Sequence, residues 1–84
     1  MDTQLPTQSL LKLLQQPVWI LTRNQREYSG ILSGVDEYTN VILQDCIEFE
    51  KLQDNNFKQT KHKLLLLNGS TIDMIIKGEK PHIN

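Results

Sequence analysis

Gly30-Ile31-Leu32-Ser33-Gly34-Val35-Asp36-Glu37-Tyr38-Thr39-Asn40 sets two glycines four apart inside a strand-like run, then an acid, an aromatic and an amide at alternate positions. Glycine weakens a strand by entropy, so a glycine within one marks a bend, a bulge or a close backbone approach. The residues after the bend supply a carboxylate, a π-face and an amide that both donates and accepts. Together they suit a flat, polar, hydrogen-bonding ligand such as a nucleobase.

The flanking sequence builds a sheet around this bend. Residues 18–22 (Val-Trp-Ile-Leu-Thr) are β-branched and aromatic and read as a strand. Residues 23–25 form its turn, and 26–35 form a second strand bent at the glycines. A third strand starts at Val41-Ile42-Leu43 and continues to Glu50 with polar and apolar residues alternating. Residues 51–60, with Asp54-Asn55-Asn56, read as a polar loop. Leu64-Leu65-Leu66-Leu67 and Ile72-Asp73-Met74-Ile75-Ile76 flank Asn68-Gly69-Ser70, and Asn-Gly between apolar runs predicts a type I′ hairpin. Gly78 and Pro81 stop the sheet.

Ahead of the strands, Leu10, Leu11, Leu13 and Leu14 gather on one face of a helix of two or three turns. Thr7 is placed to cap it and Pro17 to end it. So short a helix is unstable alone and must dock. The pattern is mainly all-β: a helix, then five short antiparallel strands in a small barrel or sharply curved sheet. The last two strands are apolar and carry little of the charge that protects an edge. They are therefore expected to pair with another subunit.

Composition bounds the function. At 84 residues, 38% hydrophobic and 23% charged, the chain is one small folded domain. Such a domain buries only about 60% of its unfolded surface, which makes help from oligomerisation unsurprising. Cys46 is the single cysteine and is expected to act as a small apolar residue. No metal, cofactor or disulfide is expected. Residues 1–16 lack a basic start followed by an unbroken apolar block, and no run is long enough to cross a bilayer. No membrane partner is expected, and a reducing compartment is favoured.

A net charge of −1 gives no strong electrostatic footprint for nucleic acid. The signs are uneven, with five acids and no base over 36–50, then four lysines against Asp54 over 51–63. Trp19 is expected to pack, and His62 and His82 to be exposed without a catalytic companion. No nucleophile–base pair, phosphate-cradling loop or carboxylate cluster suggests an enzyme.

Gly30-x-x-x-Gly34-x-Asp36-x-Tyr38-x-Asn40-Val41-x-Leu43 resembles the first motif of the Sm and like-Sm (Lsm) family, and Leu67-Asn68-Gly69-Ser70-Thr71-Ile72 resembles the second. The order, the intervening variable loop and the preceding helix agree. Asn-Gly after a leucine run, with Glu48-Phe49-Glu50 closing the third strand, is similar to one subunit type of the eukaryotic heteroheptameric ring. The resemblance implies an Sm fold over residues 7–77, an SH3-like, strongly bent five-stranded antiparallel sheet beneath an N-terminal helix, with flexible tails at 1–6 and 78–84. It implies other Lsm subunits as partners in a seven-membered ring, the fourth strand of each pairing with the fifth strand of the next.

It also implies binding of oligouridine-ended RNA, including the U-six snRNA, in pre-mRNA splicing, and a part in mRNA decapping and decay, in nucleus and cytoplasm. Carried onto this chain, Tyr38 stacks on a base, Asn40 reads its edge and Asp36 organises the loop. Gly69 allows close approach, and Asn68 stands where most paralogues carry arginine. Asparagine keeps the turn but gives up the charge and reach of a guanidinium, so this pocket is expected to bind more weakly than its neighbours'. The competing expectation is a structural subunit that completes the ring with little RNA contact.

Overall fold

A computed structural model describes residues 7–81, with side chains from residue 9 onward. The order is α1 (Thr7–Leu11), β1 (Pro17–Thr22), β2 (Arg26–Val35), β3 (Val41–Lys51), β4 (Phe57–Leu67), a 3-10 turn η1 (Gly69–Thr71) and β5 (Ile72–Lys77). The strands form one antiparallel sheet in the order β4-β3-β2-β1-β5. The expected bent five-stranded sheet with a short N-terminal helix is what the chain forms. The expectations for residues 1–6 and His82 lie outside the described residues.

Alternation along the strands puts Val18 and Ile20 of β1, Tyr28 and Leu32 of β2, and Val41 and Leu43 of β3 into one core; Cys46, beyond the left-handed Asp45 (φ 52°) that breaks the alternation of β3, and Ile72 and Ile75 of β5 complete it. Leu10 and Leu13 cover it from the helical segment. Full burial of each aliphatic side chain is worth about 1.5–3 kcal/mol. The helix has five residues, fewer than the two or three turns expected. Beyond it the backbone pairs with β2 instead, through Gln15 N to Leu32 O (2.7 Å) and Leu32 N to Gln16 O (3.0 Å). Docking thus supplies what so short a helix lacks. The capping role expected of Thr7 rests on a side chain outside those described.

The sheet bends where the glycines stand. The β2–β3 register shifts between Ser29 and Ile31 and again between Leu32 and Gly34. A Cβ on Gly30 would lie 2.9 Å from Cys46 Cα, so the strands could not close there. A Cβ on Gly34 would meet only the Ile42 side chain, at 3.3 Å. Cys46 itself is buried, and burial pushes its thiol pKa up to about 11. It behaves as the small apolar residue expected.

Three expectations need correction. Of the loop expected over 51–60, Lys51 ends β3 and residues 57–60 are strand; β4 starts at Phe57 and pairs with β3 from Lys51↔Phe57 to Val41↔Leu67. Asn68-Gly69 is not a hairpin turn. β4 and β5 lie on opposite edges of the sheet, and Asn68, at φ −74° and ψ 127°, leads into η1 rather than a type I′ turn. His62 is half-buried rather than exposed: its Nε2 lies 2.8 Å from Glu48 Oε1, and Glu48 also pairs with Arg26 at 2.9 Å.

Both edges are the last two strands, β4 and β5. On β4, Leu64 and Leu66 are 67% and 68% exposed, while Leu67 turns into the core. After β5, Gly78 N bonds Pro17 O at 2.9 Å and the segment 79–81, expected as tail, crosses the outer face of the sheet. Trp19 packs there, its indole N–H donating to Glu27 Oε1 at 2.9 Å. No helix among the described residues is long and apolar enough to cross a membrane.

Candidate functional site

The loop between β2 and β3 is tied together by one carboxylate. Asp36 Oδ1 accepts from the backbone N–H of Tyr38 (2.8 Å) and of Asn40 (2.9 Å). Its Oδ2 accepts from Asn40 Nδ2 at 2.9 Å. Backbone bonds from Asp36 N to Asn40 O and from Thr39 N to Asp36 O close the turn, with Thr39 left-handed at φ 64°. The Asn40 amide above all holds the Asp36 carboxyl below its ordinary pKa; desolvation opposes it, and the backbone N–H groups of Asn40 and Tyr38 add to the lowering. Donors aimed at a carboxylate favour its charged form.

Asn40 links this loop to the second motif. Its Oδ1 accepts from Gly69 N at 2.8 Å while its Nδ2 donates to Asp36. A carboxylate can only accept and an N–H can only donate, so the amide is fixed in one orientation. One N–H and one lone pair remain for a ligand. The Val41↔Leu67 pairing brings the two loops together. Gly69 is obligatory for their contact: a Cβ would stand 2.5 Å from Tyr38 O and 2.6 Å from Thr39 O. The close approach expected of this glycine is made to the chain's own first loop.

Tyr38 sits on the outside of this junction with its side chain 74% exposed. A single-strand binder uses such a ring as a stacking platform. Asn68 is exposed, and its Oδ1 caps η1 by accepting from Ser70 N (3.0 Å) and Ser70 Oγ (2.9 Å). Thus Asp36, Tyr38, Asn40, Asn68 and Gly69 converge at one end of the sheet, with two acids, Asp36 and Glu37, among them.

Sequence reading treated Arg23 only as a turn residue. Its N–H bonds Thr71 O at 3.0 Å and its Nε pairs with Asp73 Oδ1 at 3.0 Å, which sets a cation beside the end of η1. Nothing local could signal this, because the β1–β5 pairing that creates it is long-range. Among the described residues no group of His, Cys, Asp and Glu is arranged to hold a metal.

A family model for the LSM domain matches residues 8–77. The LSM complex subunit lsm5 of Schizosaccharomyces pombe is 34% identical, over 94% of this chain and 95% of that protein. The Sm-like protein LSM5 of Arabidopsis thaliana is 31% identical, over 92% of this chain and 86% of its own length. Among solved structures, the Pyrococcus abyssii Sm protein in complex with a uridine heptamer superposes with a TM-score of 0.74, covering 88% of this chain and 99% of that one at 22% identity. At that identity the likeness is one of fold. The two glycine-bearing motifs, the bent sheet that joins them and a family match spanning almost every described residue lead to one conclusion: the chain belongs to the LSM domain family.

Proposed function

We propose that this chain is an RNA-binding subunit of a heteroheptameric Lsm ring that takes uridine-rich RNA 3′ ends. In that ring it serves pre-mRNA splicing, through the U-six snRNA, and mRNA decapping and decay, in nucleus and cytoplasm. The observation that carries the reading is the fixed Asn40 amide, held by Asp36 and Gly69 beside an exposed Tyr38. Asn40 presents a donor and an acceptor to the uracil edge, Tyr38 offers its face to the ring, and Asp36 positions Asn40 without touching RNA. A uridine heptamer bound by a protein of the same fold supports this ligand class. Relatives that are subunits of LSM complexes support the assembly, and the edges β4 and β5 supply the pairing surfaces. The role is binding and assembly, not catalysis.

A net charge of −1 and Asn68 in the place of an arginine favour a second reading, a subunit that completes the ring with little RNA contact. Tyr38→Ala in a ring reconstituted with its partners separates the two. Loss of a stacked base costs about 1–3 kcal/mol, or roughly 5- to 150-fold in oligouridine affinity by fluorescence anisotropy. Unchanged affinity in an intact ring selects the structural reading.

A further inference from the structure

Lys80 does not trail into solvent. Its ammonium lies 5.3 Å from the ring centre of Trp19, 5.3 Å from that of Phe49 and 5.0 Å from that of Phe57, and it pairs with Glu27 Oε1. All three rings are within the roughly 6 Å over which a cation is drawn to an aromatic face. Phe49 and Phe57 meet edge to face at 88°, so their rings form two walls at right angles. Glu27 is held in turn by the Trp19 indole N–H. The Lys80 side chain is only 19% exposed.

Walls and occupant are held very differently. Trp19, Glu27, Phe49 and Phe57 come from β1, β2, β3 and β4, so the sheet itself fixes the cage. Lys80 comes from a short segment past β5, tied down by Gly78 N to Pro17 O and a long 3.4 Å bond from Lys80 N to Ser29 Oγ. The groove extends beyond Lys80 past Ser29, Ile31, Asp45, Ile47 and Gln59, and encloses about 960 Å³ with the lysine in place. That is the size of an ordinary ligand site. Glu27 opens β2 whereas Asp36 follows its far end, so the cage is separate from the loops that hold Tyr38 and Asn40.

We propose that this cage is a binding site for a methylated lysine side chain presented by a partner polypeptide, and that Lys80 fills it in cis until displaced. The chemistry selects the ligand. Three rings and one carboxylate suit a cation whose apolar surface is large and whose hydration is weak, and methylation changes an ammonium in both respects. An alkyl stem then lies along the groove while the peptide crosses Asp45 and Gln59. Occupation by Lys80 lowers the apparent affinity by the fraction of molecules in which the cage is open.

Trp19 is the single tryptophan, so its emission reports the cage directly. The full chain and its Lys80→Ala variant are titrated with a short peptide bearing trimethyl-lysine and with the same peptide bearing acetyl-lysine, which has no charge. The trimethyl-lysine peptide should change Trp19 emission saturably in Lys80→Ala, at about tenfold or more lower concentration than in the unmodified chain. The acetyl-lysine peptide should not, and adding Phe57→Ala should abolish the response. Lys80→Gln repeats the test if Lys80→Ala fails to fold. Absence of saturable binding in the folded variant, equal binding of the acetyl-lysine peptide, or equal affinity with and without Lys80 overturns the proposal.

Discussion

Gly69→Ala is the sharpest test of the junction between the two loops. Its Cβ would face three backbone atoms, Tyr38 O at 2.5 Å, Thr39 O at 2.6 Å and Thr39 C at 2.7 Å. A carbon meets neighbours comfortably at about 3.4 Å or more, so the loops must part by close to 0.9 Å at Tyr38. No flexible side chain is present to give way. Parting also stretches the 2.8 Å bond from Gly69 N to Asn40 Oδ1 beyond hydrogen-bonding range. Overpacking of a tight site costs about 1–3 kcal/mol and a lost hydrogen bond about 0.5–1.5 kcal/mol, which together give about 1.5–4.5 kcal/mol.

For a domain of this size each kcal/mol moves Tm by about 4–8 °C. The melting temperature should therefore fall by about 6 °C or more, read by circular dichroism on the purified chain. Gly34→Ala is the matched control. Its Cβ meets only the movable Ile42 side chain at 3.3 Å, and removing a strand glycine recovers about 0.5–1 kcal/mol, so its Tm should stay level or rise. If the two variants melt together, the close approach at Gly69 carries no strain and the account of the second motif fails.

Three further outcomes follow from the same structure. Asp36 has a lowered pKa in the fold, so its contribution to stability is complete above the ordinary carboxylate value of about 3.9 and is lost as pH falls through the lowered value; Asp36→Asn should flatten that acid limb, followed by the Gly69 amide resonance from pH 5 downward. Replacing both Leu64 and Leu66 by lysine removes apolar surface from an edge without touching the core, so the monomer should keep its stability within about 0.5 kcal/mol per site while native mass spectrometry shows loss of the ring. Asn68→Arg should tighten oligouridine binding by restoring a cation. It should also destabilise the fold by about 0.5–2 kcal/mol, because the acceptor for Ser70 N and Oγ is gone; unchanged or weaker binding in an intact ring would show that the missing charge is not what limits this pocket.

How legible all this was depended on whether the cause was local. β2 is readable to the residue because strand propensity, turn residues and glycines are all short-range signals; β1 follows from its β-branched and aromatic run and β3 from alternation. The first half of β4 is not. Phe57-Lys58-Gln59-Thr60-Lys61-His62-Lys63 is polar because nearly all of it is exposed at an edge, and only the ladder to β3 makes it a strand. Asn68-Gly69 misleads for a related reason: a dipeptide cannot say whether the next strand returns alongside or crosses to the far edge. Asp36, Tyr38 and Asn40 stand out by spacing, yet the bond from Gly69 to Asn40 exists only once β3 and β4 are paired. The cage around Lys80 is wholly non-local, with its walls on four strands and its cation past the fifth.

The contact between Asn40 and Gly69 has one more consequence, for chemical ageing. An asparagine followed by glycine is the dipeptide most open to deamidation, because nothing on the glycine hinders its nitrogen from attacking the side-chain carbonyl. Here that nitrogen is committed to Asn40 Oδ1, and the Asn68 carboxamide is tied to Ser70. Both ties must break before a succinimide can close. The product, aspartyl or isoaspartyl, would carry a carboxylate next to the loop that already holds Asp36 and Glu37. The bond that orients Asn40 is therefore also a preservative: it protects the second motif from a slow, irreversible gain of negative charge.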